Sequence, residues 1–279
     1  MKDTVLFEIE APAGELDRLV GELYSLGTLG VEEGETRLRA YFASGDAGPG
    51  VQALADPARA IHVQGPVAVP AQDWARSWRE GLEARRVGPL WIRPSFRASQ
   101  GTPELVIDPE QAFGSGEHAT TRLALELLLA ALRPGDRVLD VGTGSGILAL
   151  GALRLGAASA VGFDLDALSC HAARANAGHN GLELEVFCGT ADALAAREAF
   201  DVSVANMLVG ELEPCLADVA RRTRRALVAS GYLRAEAPRV AKLLEPVGFA
   251  LAEEREEVQG GDAWTASVWS RLPHARARQ

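Results

Sequence analysis

The amino-acid sequence predicts an α/β fold, a mainly parallel, Rossmann-like sheet flanked by helices, with a small α+β module at the N-terminus. Three observations point there. From Arg122 onward, helix-like and strand-like segments alternate with the rhythm of parallel βα units. The apolar strand ending in Asp140 runs directly into Gly142-Thr143-Gly144-Ser145-Gly146 and then a helical pattern. Before residue 65 the segments are short and read strand, helix, strand, strand.

In the module, Thr4 to Glu10 alternates apolar and polar residues as a half-buried strand does. Ala13 to Ser25 sets Leu16, Leu19, Val20 and Leu23 at helical spacing. Leu29 to Glu33 and Thr36 to Phe42 read as strands joined by a tight turn at Gly34, with a loop from Gly45 to Gly50 beyond them. The stretch from Gly65 to Pro70 opens a linker. Trp74 and Trp78, at i and i+4, predict a linker helix on which they act as packing residues. The expected domains are residues 1–65 for the module, 66–93 for the linker, 94–272 for the larger domain and 273–279 for a tail.

In the larger domain the pattern gives helix Leu123–Leu132, strand Arg137–Val141, helix Ile147–Leu155, strand Ser159–Asp164 and helix Leu168–Ala177. Strands Leu184–Cys188 and Phe200–Ala205 follow, then helix Gly210–Arg222, strand Ala226–Ser230 and helix Ala235–Pro246. Strand Phe249–Val258 and a last strand around Trp264–Trp269 have no helix between them. One antiparallel strand must therefore enter the sheet near its edge.

Composition narrows the functional classes. No apolar run reaches the ~18 residues of a membrane span, and the acidic start Met1-Lys2-Asp3 lacks the form of a secretory signal, so a cytoplasmic protein is expected. Cys170, Cys188 and Cys215 form no Cys-x-x-Cys pair, and no histidine stands at zinc-ligand spacing, so no metal is expected. The net charge of −10 argues against a broad nucleic-acid surface and favours encounter with a basic protein.

The glycine-rich turn lets backbone N–H groups approach a ligand where a helix begins. Nicotinamide dehydrogenases and purely structural turns use similar loops. Asp164 ends the next strand about twenty residues on, where a carboxylate accepts from both hydroxyls of a ribose. It could instead cap the following helix, although Asp166 is as well placed for that. A pyrophosphate favours a third glycine spaced to open the helix, whereas Gly146 comes immediately before Ile147. That favours methyl transfer over hydride transfer.

The segment Ala112-Phe113-Gly114-Ser115-Gly116-Glu117-His118-Ala119-Thr120-Thr121 resembles the Ala-Phe-Gly-Thr-Gly-x-His-x-Thr-Thr signature of the ribosomal protein L11 methyltransferases, the PrmA family. The likeness continues through Leu139–Leu148, Gly162–Asp166, Val204–Leu208 and Ser230–Leu233, covering roughly Asp73 to Trp269. Ser115 replaces the usual threonine, and Met207-Leu208 stands where Ile-Leu is commoner. The resemblance implies a class I methyltransferase sheet, a ferredoxin-like N-terminal domain that holds the substrate, and S-adenosyl-L-methionine as cofactor. It implies protein-lysine N-methylation of ribosomal protein L11; a monomer is expected. It also implies that Thr121, Gly142, Asp164 and Asn206 contact the cofactor.

Several roles are open at this level. Gly114-Ser115-Gly116 could form a lid with Thr120 or Thr121 as ligand hydroxyls, or the segment could simply cap a helix. His118 could be a general base or a capping residue. Asn206 ends a strand at the carboxyl edge of the sheet, where its side-chain carbonyl could orient an amine. Alternatives to the L11 reading are a methyltransferase for another protein, a small molecule or nucleic acid, a non-catalytic nucleoside-binding module, and a nicotinamide oxidoreductase.

Overall fold

The computed structural model describes residues 4–34, 36–43, 48–69, 82–108, 116–195 and 199–273, and the chain separates into two compact units, Met1–Leu82 and Glu83–Gln279. The linker helix with Trp74 and Trp78 lies outside the described residues.

The first unit is built from β1 (Thr4–Glu10), α1 (Ala13–Ser25), β2 (Gly30–Glu33), β3 (Arg37–Ala43), α2 (Gly48–Gln52) and β4 (His62–Val69). Its antiparallel sheet has the order β2-β3-β1-β4, and this βαββαβ chain path is the ferredoxin-like topology. Phe7, Ile9, Leu19, Leu23, Leu38 and Phe42 form its core, which is the alternation seen in β1 meeting the helical stripe of α1.

Two elements differ from expectation. Part of the Gly45–Gly50 loop is the start of α2, because Pro49 suits a first helical turn and Val51 is buried in the core. The expected linker start at residue 66 falls inside β4. Gly65-Pro66 interrupts the strand pattern at a register irregularity opposite Leu6 and Glu8, and an edge strand tolerates such a proline.

The second unit opens with a three-stranded sheet in the order β5-β6-β7, made of β5 (Arg85–Val87), β6 (Leu90–Arg93) and β7 (Glu104–Val106). The expected linker thus contains a β5–β6 hairpin, turned at Gly88-Pro89. Asn180 holds β7 by pairing both amide atoms with the Val106 backbone, at 2.8 and 2.7 Å.

The rest of this unit is α3 (Ala119–Ala131), β8 (Arg137–Val141), α4 (Ile147–Arg154), β9 (Ser159–Asp164), α5 (Ala167–Asn180), β10 (Glu185–Cys188), β11 (Phe200–Asn206), α6 (Val209–Arg222), β12 (Thr223–Leu233), α7 (Ala237–Leu244), β13 (Phe249–Gln259) and β14 (Asp262–Arg271). These match the sequence periods with shifts at the ends. The seven strands order as β10-β9-β8-β11-β12-β14-β13, with β14 antiparallel to both neighbours and the others parallel. The expected antiparallel strand therefore lies one place in from the edge.

Side chains alternate between two cores on the faces of this sheet. Val138, Val202 and Val228 pack with α3 and α4 on one face. Leu139, Phe200 and Leu227 pack with α6 and α7 on the other. Among the described residues no helix is long and apolar enough to cross a membrane.

Candidate active site

The strand order reverses at β8: the chain goes outward through β9 and β10 on one side, then returns to β11 on the other. A crevice opens at such a switch point, beyond the carboxyl ends of the strands. Asp164, the glycine loop and Asn206 lie at the ends of β9, β8 and β11 and so come together on that edge.

The loop is shaped by three residues in the left-handed region: Gly142, Gly144 and Gly146, at φ +67°, +52° and +82°. At Gly146 a Cβ would also lie 3.1 Å from Ala173 Cβ and 3.3 Å from Ala173 Cα, so the loop packs tightly on α5. Beneath it, fully buried Asp140 accepts from Thr143 Oγ1 at 2.8 Å and from Ala149 N at 3.2 Å, tying loop to helix. Burial, above all, pushes its carboxyl up to about 7. Asn176 braces the loop from behind, donating to Ser145 O at 2.9 Å and accepting from Asp108 N at 2.9 Å.

Asp164 and Asp166 divide two tasks that sequence left open. Asp166 caps α5, accepting from Leu168 N at 3.0 Å and Ser169 N at 3.3 Å. Asp164 accepts from Gly144 N at 2.9 Å and Asp166 N at 3.0 Å, so its carboxylate joins the glycine loop to the next turn.

Across the crevice, buried Thr121 in the first turn of α3 accepts from Asn206 Nδ2 at 3.2 Å. Asn206 Oδ1 is buried and has no hydrogen-bond partner among the described residues. An orphaned amide oxygen at a strand end is costly unless something satisfies it. His118 is the N-cap of α3: its Nδ1 accepts from Thr120 N and lies 2.8 Å from Thr120 Oγ1. Burial, followed by nearby Arg122, holds the His118 ring below its usual 6.5. Its ring meets Trp264 edge-on, with centroids 4.7 Å apart at 75°.

Thr121, Gly142, Asp164 and Asn206 all line one cavity of about 1040 Å³, together with His118 and Trp264. Its apolar wall includes Ile147, Phe163 and Leu208. Gly114 and Ser115 of the expected lid lie outside the described residues.

Sequence reasoning missed Trp264, Asn176 and Gly231. Trp264 reads locally as one more strand residue, and Asn176 as a polar residue within a helix. Gly231 did carry a signal, standing directly after the Ser230 that ends the predicted strand. At φ +91°, a Cβ there would lie 2.6 Å from Met207 O and 2.7 Å from Met207 N, so only glycine lets β12 pass the turn after Asn206.

The family model described as "Ribosomal protein L11 methyltransferase (PrmA)" matches residues 16–270. The ribosomal protein L11 methyltransferase of Geobacter sulfurreducens is 36% identical, with 95% of this chain and 91% of the relative covered. That of Symbiobacterium thermophilum is 39% identical over 71% of this chain, and the match spans 66% of that relative's length. The crystal structure of ribosomal protein L11 methylase from Lactobacillus delbrueckii subsp. bulgaricus superposes with a TM-score of 0.61 at 28% identity, covering 68% of this chain and all of that one.

Proposed function

We infer that this chain, which belongs to the ribosomal protein L11 methyltransferase (PrmA) family, transfers a methyl group from S-adenosyl-L-methionine to amino groups of ribosomal protein L11. The observation that carries the reading is the cavity shared by Gly142, Asp164 and Asn206, with an unused acceptor on the Asn206 amide.

The residues suit the cofactor. A carboxylate has about four acceptor sites, so Asp164 can take ribose hydroxyls while keeping its bonds to Gly144 and Asp166. Gly142 and Gly144 would admit the amino-acid portion close to the backbone, and Thr121 and Asn206 would meet it from the other side. When bound, S-adenosyl-L-methionine supplies an electrophilic methyl group on a sulfonium.

The chain's own part is to present a neutral amine. A free lysine, with a pKa of ~10.4, is almost fully protonated near neutrality. The apolar wall of Ile147, Phe163 and Leu208 disfavours the ammonium form. Asn206 Oδ1 can accept one N–H of the incoming amine and so leave the nitrogen lone pair free for attack. Asn206 and the apolar wall would keep the amine aligned as the methyl, and with it the positive charge, moves from sulfur to that nitrogen. Orientation and desolvation then supply much of the acceleration without a dedicated strong base.

We assign docking of the substrate to the ferredoxin-like unit, aided by the acidic charge of the chain toward a basic ribosomal protein. The test is incubation of the purified chain with methyl-labelled cofactor and ribosomal protein L11. Label should appear on lysine side chains or the terminal amine by peptide mass spectrometry. Cofactor binding without label on the protein would refute the substrate assignment.

A further inference from the structure

We propose that the terminal β13–β14 hairpin is a positioning element of the methyl-transfer site, in which Gln259 and Trp264 hold the first turn of α3 so that Thr121 fixes the Asn206 amide. The proposal rests on the reading of Asn206 given above and extends the site to a part of the fold that no site motif includes.

The first turn of a helix has backbone N–H groups without intrahelical partners. In α3 one of these, Ala119 N, donates to Gln259 Oε1 at 2.6 Å, from a residue 140 positions later in the chain. Arg122, in the same turn, pairs with Glu257 on the same strand and donates to Glu117 O. From the opposite strand of the hairpin, Trp264 sets its ring against His118, the residue that caps α3. One hairpin thus grips His118, Ala119 and Arg122. Ser230 Oγ anchors the same turn from within the sheet, donating to Thr120 O at 2.9 Å.

Thr121 lies in the middle of these anchors, and its hydroxyl accepts from Asn206 Nδ2 at 3.2 Å. A carboxamide rotated by half a turn exchanges its donor and acceptor ends. A hydroxyl can serve either role, and in this structure Thr121 accepts, so its bond holds Nδ2 toward α3 and leaves Oδ1 for the amine. Loosening the first turn of α3 releases that choice although no residue of the cavity is changed. Ser230 is the register partner of Asn206 on the neighbouring strand. Its grip on Thr120 ties the same turn to the strand pair that carries the amide.

The test uses the full chain and begins without cofactor. Gln259 is half-buried at the end of β13, so Gln259→Ala leaves the core intact. It should raise hydrogen exchange of the amides from 119 to 122 by about tenfold, the effect of losing one ordinary hydrogen bond, and shift the side-chain amide resonances of Asn206. Gln259→Glu, which keeps an acceptor for Ala119 N, should restore both. In the transfer assay, Gln259→Ala should lower kcat by about tenfold with KM and the affinity for S-adenosylhomocysteine unchanged. In a Thr121→Ala background it should cost nothing further. Unchanged exchange and resonances in Gln259→Ala, or an equal loss of kcat with and without Thr121, would overturn the proposal. If the wild-type chain methylates no ribosomal protein, the functional reading fails, and the exchange and resonance data still decide the role of the hairpin.

Discussion

Thr121 and Asn206, 85 positions apart in sequence, meet across the crevice through a 3.2 Å bond from the Asn206 amide to the Thr121 hydroxyl. This leaves Asn206 Oδ1, at the end of β11, without a partner among the described residues. Neither residue is a strong acid or base, so in the proposed reaction they would hold an amine with its lone pair directed rather than remove its proton.

Replacing Asn206 by Asp tests that division. A carboxylate beside the amine stabilises the ammonium form and so reduces the reactive fraction. The kcat of Asn206→Asp should fall about 10- to 100-fold at pH 7 and recover as pH is raised toward 9. A loss that is the same at both pH values would show that Asn206 does not act on the protonation and orientation of the amine.

Asp164 is expected to govern cofactor affinity. Asp164→Ala removes the acceptor for Gly144 N and Asp166 N together with the one proposed for the ribose. Charged hydrogen bonds are worth about 1.5–3 kcal/mol each. Calorimetry with S-adenosylhomocysteine should show at least about tenfold weaker binding, with Asp164→Asn intermediate. Unaltered affinity in Asp164→Ala would remove it from the cofactor site.

Asp140 links stability to pH. Its folded-state carboxyl titrates at about 7 against an ordinary 3.8, so between those values the native chain holds a proton that the unfolded chain has lost. Stability from this group is therefore full below about pH 4 and declines as pH rises to about 7, by on the order of 4 kcal/mol. In paired melts from pH 5 to pH 8, Asp140→Asn should gain on the wild type as pH rises. A difference independent of pH would contradict the buried, protonated carboxyl.

His118 is placed to cap rather than to accept a proton in catalysis. Burial, then Arg122, weakens the basicity of its ring, and Nδ1 is engaged at the N-terminus of α3. Asn is a strong capping residue but lacks the ring that meets Trp264, so His118→Asn should keep more activity than His118→Ala, which also loses about 1 kcal/mol of stability. Equal, large losses of kcat in both variants with unchanged stability would instead identify His118 as a base.

The local sequence determined most of the strands and helices of the second unit, because alternation and 3.6-residue spacing are short-range signals. Arg137–Val141 and Ser159–Asp164 have the bounds that their patterns predict, and both end at the cavity lined by Gly142 and Asp164. Gly142, Asp164 and Asn206 were legible for the same reason: each follows or ends an apolar strand, and the carboxyl ends of parallel strands share one edge. The β5–β6 hairpin and β4 were hidden by Gly-Pro pairs that resemble linker punctuation. Which of Asp164 and Asp166 caps α5 was decided only in three dimensions, as was the role of His118. The same holds for Asn176 behind the loop, Trp264 against His118 and Gln259 on Ala119. Such contacts join residues from about 30 to nearly 150 positions apart, and no periodicity or capping preference spans that distance. They exist because the sheet order brings β11, β12 and the terminal hairpin beside the first turn of α3, where its unpaired N–H groups and the Asn206 amide must find partners.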